Sequence, residues 1–101
     1  MRNVSVRYKV KPECVAENEA LIRDVFKELA HDKPADVRYG AYKMADGVSF
    51  VHVVTTAASA EASPLLKLAA FQRFIADIKS RVEEAPVTTE TQALGFFDSF
   101  A

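Results

Sequence analysis

The chain of 101 residues has no tryptophan, one cysteine, two histidines and three glycines. The single cysteine, Cys14, cannot form an internal disulfide, and one cysteine with two separated histidines does not make a structural zinc site. Thirteen basic residues against fourteen acidic ones give a formal net charge of −1, without the basic patch that nucleic-acid binding needs. We therefore expect a reduced, cytoplasmic protein with no metal site and no nucleic-acid partner.

Long apolar runs are also missing. Charged residues interrupt the N-terminal segment from Arg2 onward, so we expect no secretory signal there. No run approaches the roughly 20 apolar residues of a membrane helix. The length suits one domain over residues 1–101. The sequence predicts a soluble protein without a membrane partner.

Hydrophobic spacing divides the chain into six elements. Alternation predicts a first strand that ends at Pro12, and apolar residues three and four apart predict a helix from about Val15 to His31. Asp46-Gly47 between two strand-like runs predicts a hairpin. The two strands of the hairpin are predicted over 37–44 and 48–55, and a linker of small residues follows over 57–63. A second helix is predicted over 64–84, with a kink near Leu68 and with Pro86 as the residue that stops it. The last strand is predicted over 87–97.

The order β-α-β-β-α-β is typical of the ferredoxin-like α+β fold. In this fold both helices cover one face of a four-stranded antiparallel sheet. The other face then exposes more apolar surface than a monomer usually tolerates. A second copy of the sheet is the simplest cover, so we expect a homodimer that closes into an α+β barrel.

The hairpin turn predicts which side chains share a face. With Asp46 and Gly47 at the centre of the turn, the pairs are Lys43 with Phe50, Ala41 with His52, and Tyr39 with Val54. The opposite set is smaller and looks suited to accept helices. We therefore assign His52, Tyr39, Phe50, Val54 and Lys43 to the helix-free face, with Tyr39 roughly 7–8 Å from His52 across the diagonal.

His52 and Tyr39 are the candidate catalytic residues. An imidazole in an apolar barrel has a pKa suited to act as a base on a phenol or enol, and Tyr39 would orient a substrate oxygen. Alternatively, His52 is a packed histidine that is hydrogen-bonded to the backbone or to a partner chain. Phe50, Val54, Lys43 and Arg7 are the candidate ligand-binding residues, although the spacing does not assign Arg7 to a face.

Three aromatic residues near the C-terminus, Phe96, Phe97 and Phe100, are too many for a frayed tail to cover. Aromatic side chains are enriched in protein interfaces. We hypothesise that these three contribute to the dimer interface.

The pattern resembles the dimeric α+β barrel superfamily, and most nearly its antibiotic-biosynthesis-monooxygenase-like branch. The resemblance rests on Val6-Arg-Tyr-Lys-Val-Lys-Pro12, on the hairpin into Val48-Ser-Phe-Val-His-Val-Val54, and on Ala70-Phe-Gln-Arg-Phe-Ile75. It implies a homodimer with a mostly apolar pocket between the sheet and the helices of each protomer. It also implies a hydrophobic or aromatic ligand, oxidised without a cofactor.

Departures from the family pattern keep other functions open. The haem-degrading branch uses a tryptophan, which this chain lacks. Many relatives also carry a histidine before the Phe-x-x-Phe pair, where this chain has Leu68-Ala69-Ala70. These differences argue against haem degradation. The alternatives are a non-catalytic ligand-binding or stress-related dimeric module and a monomeric ferredoxin-like regulatory domain.

Overall fold

The first strand, β1 (Arg2–Val10), lies inside the sheet and pairs with a strand on each side. The structure is a computed structural model that describes residues 1–57 and 63–99. The other strands are β2 (Val37–Lys43), β3 (Ser49–Thr56) and β4 (Val82–Thr91), in the order β2-β3-β1-β4 with every pair antiparallel. The predicted ferredoxin-like α+β fold is confirmed.

The hairpin between β2 and β3 has the predicted register. Lys43 pairs with Phe50, Ala41 with His52 and Tyr39 with Val54. The Asp46 carboxylate accepts hydrogen bonds from the Val48 and Ser49 amides and from the Ser49 hydroxyl. Gly47 has a positive φ of 78°, a conformation that glycine adopts without steric cost. Local turn chemistry therefore sets the pairing.

The helices lie on one face of the sheet. α1 (Val15–Asp32) has nearly the predicted bounds and ends where Lys33 adopts a left-handed conformation with φ 46°. The second helical region begins with a 3₁₀ turn over Pro64–Lys67 and continues as α2 (Ala69–Ala76) and α3 (Ile78–Arg81). The predicted kink is present at Leu68, which is extended with ψ 127°.

A side chain of α1 caps the start of α2. The Glu28 carboxylate accepts hydrogen bonds from the Ala70 amide at 2.7 Å and the Ala69 amide at 3.3 Å. These amides have no partner within their own helix, and a negative charge at a helix N-terminus is favourable. Glu28 therefore joins α1 to the N-terminus of α2.

The last strand is present as predicted, but its predicted bounds and the predicted end of the second helix were wrong. Helical structure ends at Arg81, and β4 begins at Val82, five residues before the predicted start. Pro86 lies in this edge strand, where the pairing with β1 shifts register between Arg7 and Lys9. A proline is tolerated at such a position because its missing N–H interrupts no regular ladder.

The core lies between the sheet and the helices. Its buried members come from β1, α1, β3 and α2, and they are Tyr8, Val10, Val25, Phe50, Ala70 and Phe74. The predicted linker over 57–63 lies largely outside the described residues.

Candidate functional site

A small cavity lies between the sheet and the second helical region. Its volume is about 200 Å³. The lining comes from β1, β2, β3, β4, α2 and α3, and consists of Val6, Tyr8, Tyr39, His52, Val54, Phe71, Phe74, Ile75, Ile78 and Pro86. Apart from one imidazole and two hydroxyls, the lining side chains are hydrocarbon.

His52 lines this cavity, with only 4% of its surface exposed. Its ring stacks on Phe74 at a centroid distance of 5.4 Å and is tilted against Tyr8 at 5.3 Å and Tyr39 at 5.6 Å. Aromatic rings on three sides therefore fix the orientation of the imidazole.

Two tyrosine hydroxyls engage the two ring nitrogens of His52. The Tyr8 oxygen lies 2.8 Å from Nε2, and the Tyr39 oxygen lies 2.5 Å from Nδ1. The sequence predicted Tyr39 as a diagonal neighbour that would share a ligand or water with His52, and the structure places the two in direct contact. His52 thus meets the cavity as part of a Tyr-His-Tyr unit.

The hydrogen bonds continue from Tyr8 into the core. Asn18 donates from Nδ2 to the Tyr8 hydroxyl at 3.0 Å, and Arg81 donates from Nε to Asn18 Oδ1 at 3.2 Å. Arg81 also donates to the Phe74 carbonyl at 2.6 Å, and its guanidinium lies 5.3 Å from the Phe74 ring centroid. Both Asn18 and Arg81 are buried, at 0% and 1% exposure. We call Arg81, Asn18, Tyr8, His52 and Tyr39 the buried polar chain.

Burial determines the protonation states of the titratable side chains in the buried polar chain. Desolvation lowers the pKa of His52 to about 4, because the apolar surroundings disfavour the imidazolium. Desolvation also raises the pKa of Tyr8 to about 12, against opposing effects of Asn18 and Arg81, and raises the pKa of Tyr39. At neutral pH, His52 and both tyrosines are therefore uncharged.

The predicted face of the His52 set was wrong. Val6 pairs with His52 and Tyr8 pairs with Phe50, so the apolar residues of β1 share a face with His52. The helices pack on this combined face because it buries the larger apolar area. The hairpin register shows which residues share a face of the sheet, but it does not show which face the helices cover.

The helix-free face carries the set that was expected to lie under the helices. Two of its members, Tyr42 and Val53, are 63% and 41% exposed, and Val87 of β4, which pairs with Arg7, is 63% exposed on the same face. Strand alternation places Arg7 on this face as well, on the opposite side of β1 from Val6 and Tyr8.

The predicted ligand-binding residues are dispersed in the structure. Val54 lines the cavity together with His52 and Tyr39. Phe50 stacks behind Tyr8 at 5.5 Å, within the core. Lys43 is exposed and pairs with Glu19 at 3.3 Å, while Arg7 lines a groove across the sheet from the cavity.

Sequence reasoning missed Tyr8, Asn18 and Arg81. Asn18 lies three residues before Leu21 and seven before Val25, so it occupies a position of the apolar stripe of α1. Arg81 extends the stripe of Phe74 and Ile78 in the same way. A polar residue at a stripe position is the signal that identifies both.

The aromatic tail is exposed in the structure. Phe96 and Phe97 are 76% and 90% exposed, and the Arg38 guanidinium lies 4.9 Å from the Phe96 ring centroid. Phe100 lies outside the described residues. The proposed interface role of this tail stays a prediction.

Residues 1–57 and 63–99 contain neither a metal-binding cluster nor a membrane-spanning helix. In that part of the chain, no three histidine, cysteine, aspartate or glutamate side chains are grouped to hold a metal ion. None of the helices described has the length and apolar character needed to span a membrane.

Solved structures with the same architecture share low sequence identity with this chain. An antibiotic biosynthesis monooxygenase superposes with a TM-score of 0.76 at 17% identity, covering 94% of this chain and 100% of its own. The chain has the antibiotic biosynthesis monooxygenase fold. This confirms the resemblance at the level of structure. No protein-family model matches the sequence, and no curated protein is detectably similar to it.

Other structures with this fold differ in what is known of them. SnoaB from Streptomyces nogalater, a cofactor-independent oxygenase, superposes with a TM-score of 0.67 at 18% identity, covering 94% of each chain. A protein of unknown function from Nitrosomonas europaea superposes with a TM-score of 0.74 at 16% identity, covering 99% of this chain and 95% of its own. At these identities the likeness establishes the fold and not the reaction.

Proposed function

We propose that this protein is a cytoplasmic homodimer that binds a hydrophobic or aromatic small molecule in the cavity between sheet and helices. The observation that carries the proposal is the cavity itself, an apolar space whose lining includes Tyr39 and His52. Small-molecule sites typically combine an apolar lining with a few convergent polar groups.

The size of the cavity limits the ligand. At about 200 Å³ the cavity is smaller than the ~300–1,000 Å³ of sites for drug-sized ligands. We therefore expect a molecule of one or two fused rings, held mainly by contacts with Phe71, Phe74 and Val54.

The homodimer is supported by the helix-free face. Tyr42, Val53 and Val87 expose apolar surface on this face, which the helices described do not cover. A second copy of the same face is apolar in the same places, so two sheets that face one another would bury this surface.

Native mass spectrometry of the purified protein tests the assembly and the occupancy of the cavity together. We expect a dimer, and extra mass if a ligand survives purification. A monomer at micromolar concentration would contradict the homodimer.

The binding proposal predicts the effect of filling the cavity. Ile75 lines the cavity and is 42% exposed, so Ile75→Trp adds bulk with little burial strain. We expect the variant to weaken binding of the bicyclic hydrocarbon tetralin at least tenfold in calorimetric titration, a change of about 1.4 kcal/mol. Leu66 is 46% exposed and is not among the lining residues, so it provides the control Leu66→Trp, which should bind normally. Equal binding by both variants would place the ligand elsewhere.

Oxidation of the ligand without a cofactor is the second candidate function. It is favoured by the fold shared with the cofactor-independent oxygenase SnoaB. In this candidate His52 is the base and Tyr39 orients the substrate oxygen. Because both ring nitrogens contact hydroxyls, a proton from the substrate would reach His52 Nε2 through the hydroxyl of Tyr8, which also lines the cavity.

Oxygen consumption with a phenol such as 2-naphthol tests the second candidate. His52→Gln retains a polar side chain but cannot take up the proton, so turnover should fall by about 10²-fold or more. The exposed His31 gives the control His31→Gln, which should retain wild-type turnover. Retained turnover in His52→Gln would contradict the role of His52 as the base. A wild-type protein that binds the phenol without consuming oxygen would favour the non-catalytic binding module.

A further inference from the structure

The buried polar chain has a cation at one end and the cavity at the other, and the chemistry of its members gives it a direction. A guanidinium can only donate hydrogen bonds. Arg81 Nε points at Asn18 from 3.2 Å, so the amide must turn its oxygen toward Arg81. The Asn18 NH₂ group then faces Tyr8 and donates to its hydroxyl at 3.0 Å.

The next step determines where the Tyr8 hydrogen lies. Among the described side chains, the Tyr8 hydroxyl contacts Asn18 and His52. Since Asn18 already donates to the Tyr8 oxygen, the Tyr8 hydrogen goes to His52 Nε2 at 2.8 Å. The reverse arrangement would leave a buried hydroxyl hydrogen without an acceptor, which is unfavourable.

The tautomer of His52 follows from this. A neutral imidazole carries one hydrogen, and Nε2 is occupied as an acceptor, so the hydrogen is on Nδ1. Nδ1 then donates to the Tyr39 oxygen at 2.5 Å. The Tyr39 hydrogen is then left without a partner among the described residues, and Tyr39 lines the cavity.

We infer that Arg81, through Asn18, Tyr8 and His52, makes Tyr39 a hydrogen-bond donor into the cavity, which therefore selects small apolar molecules that carry a carbonyl oxygen. The cavity lining contains no carboxylate, lysine or arginine among the described residues, so a neutral acceptor suits it better than an anion. In this arrangement Tyr39 contacts the ligand, and Asn18 and His52 are positioning residues. The inference rests on the proposed binding function and not on oxidation.

The tautomer can be read directly from ¹⁵N NMR of histidine-labelled protein. The two ring nitrogens of a neutral histidine differ widely in chemical shift according to which one carries the hydrogen. We expect the hydrogen of His52 on Nδ1 at pH 7. The exposed His31 serves as an internal reference that titrates in the same sample. A hydrogen on Nε2 would overturn the inference.

Asn18→Asp tests which groups donate and which accept along the buried polar chain, with almost no change in side-chain shape. A carboxylate accepts from both Arg81 and Tyr8, so the Tyr8 hydrogen turns away from His52. His52 would then donate from Nε2 and accept from Tyr39 at Nδ1. We expect the NMR signature of His52 to switch tautomer, and an unchanged tautomer would contradict the role of Asn18. If Asn18→Asp does not fold, Tyr8→Phe removes the donor to Nε2, and the Nδ1–H form should lose its dominance.

Ligand selection is tested with 1-tetralone and its hydrocarbon counterpart tetralin. Tyr39→Phe should weaken binding of the ketone about fivefold to tenfold and change tetralin binding by less than about twofold. Asn18→Asp should weaken the ketone similarly, because Tyr39 then donates to His52.

The outcomes separate the inference from the proposed function. Equal losses for ketone and hydrocarbon in Tyr39→Phe would overturn the donor role while leaving a binding cavity. Failure of wild-type protein to bind either compound would overturn the proposed function and the ligand class together, and the NMR tautomer alone would then decide the proton direction.

Discussion

Phe74→Ala is expected to lower the free energy of unfolding by about 3–5 kcal/mol, as is usual when a buried aromatic side chain is truncated. Phe74 is 4% exposed and its ring contacts Tyr8, His52 and Phe71. The variant removes these contacts together with the cation–π contact to Arg81, and it extends the cavity into the core. Denaturant unfolding at pH 7 measures the change.

Two further variants make the Phe74 result interpretable. Leu66→Ala removes a side chain that is 46% exposed and should cost less than about 1 kcal/mol. If Phe74→Ala does not fold, Phe74→Leu keeps most of the volume and should cost only about 1–2 kcal/mol. A loss below about 1 kcal/mol for Phe74→Ala would mean that the ring is not part of the core.

His52 is expected to make the protein less stable as the pH falls from about 6.5 to about 4. Burial lowers the folded-state pKa of His52 from 6.5 to about 4, so the unfolded chain takes up a proton before the folded chain does. The contribution of neutral His52 is therefore complete above pH 6.5 and is lost as the pH falls toward 4. The full shift corresponds to about 3 kcal/mol, and about 2 kcal/mol of it should be lost by pH 5.

His52→Gln isolates this effect because glutamine does not titrate. Unfolding free energies at pH 7 and pH 5, measured at one protein concentration, should differ by about 2 kcal/mol less in the variant than in the wild type. His31 provides a control of opposite sign. Its hydrogen bond to Asp32 raises its pKa, so His31→Gln should leave the decline unchanged or slightly steeper. Identical pH dependence in wild type and His52→Gln would show that the imidazole titrates normally in the folded protein.

Local signals predicted the elements that depend only on neighbouring residues. The alternation of β1, the stripe of α1 and the Asp46-Gly47 turn each predicted their element and, for the hairpin, the register. These features follow from backbone sterics and side-chain period, which act over a few residues. The end of α3 escaped prediction because Arg81 and Val82 are placed by contacts with α1 and β1.

The candidate site was predicted in part. His52, Tyr39 and Val54 came from the sequence, since strand pairing places them on one face. Tyr8, Asn18 and Arg81 did not, because they lie on β1, α1 and α3 and meet only after the helices pack. The other predicted ligand-binding residues lie on strands of the site, but their side chains do not line the cavity; they are Phe50, Lys43 and Arg7.

The sequence by itself determined the order of elements, the pairing of β2 with β3 and the likeness to the antibiotic-biosynthesis-monooxygenase fold. The tertiary structure alone decided which face the helices cover and what surrounds His52. The physical reason is that β1 contributes Val4, Val6, Tyr8 and Val10 to one face, and apolar burial against both helices depends on the whole sheet rather than on one hairpin. The same packing buries Arg81 beside Asn18, which joins residues 63 positions apart in one hydrogen-bonded chain that ends at the cavity.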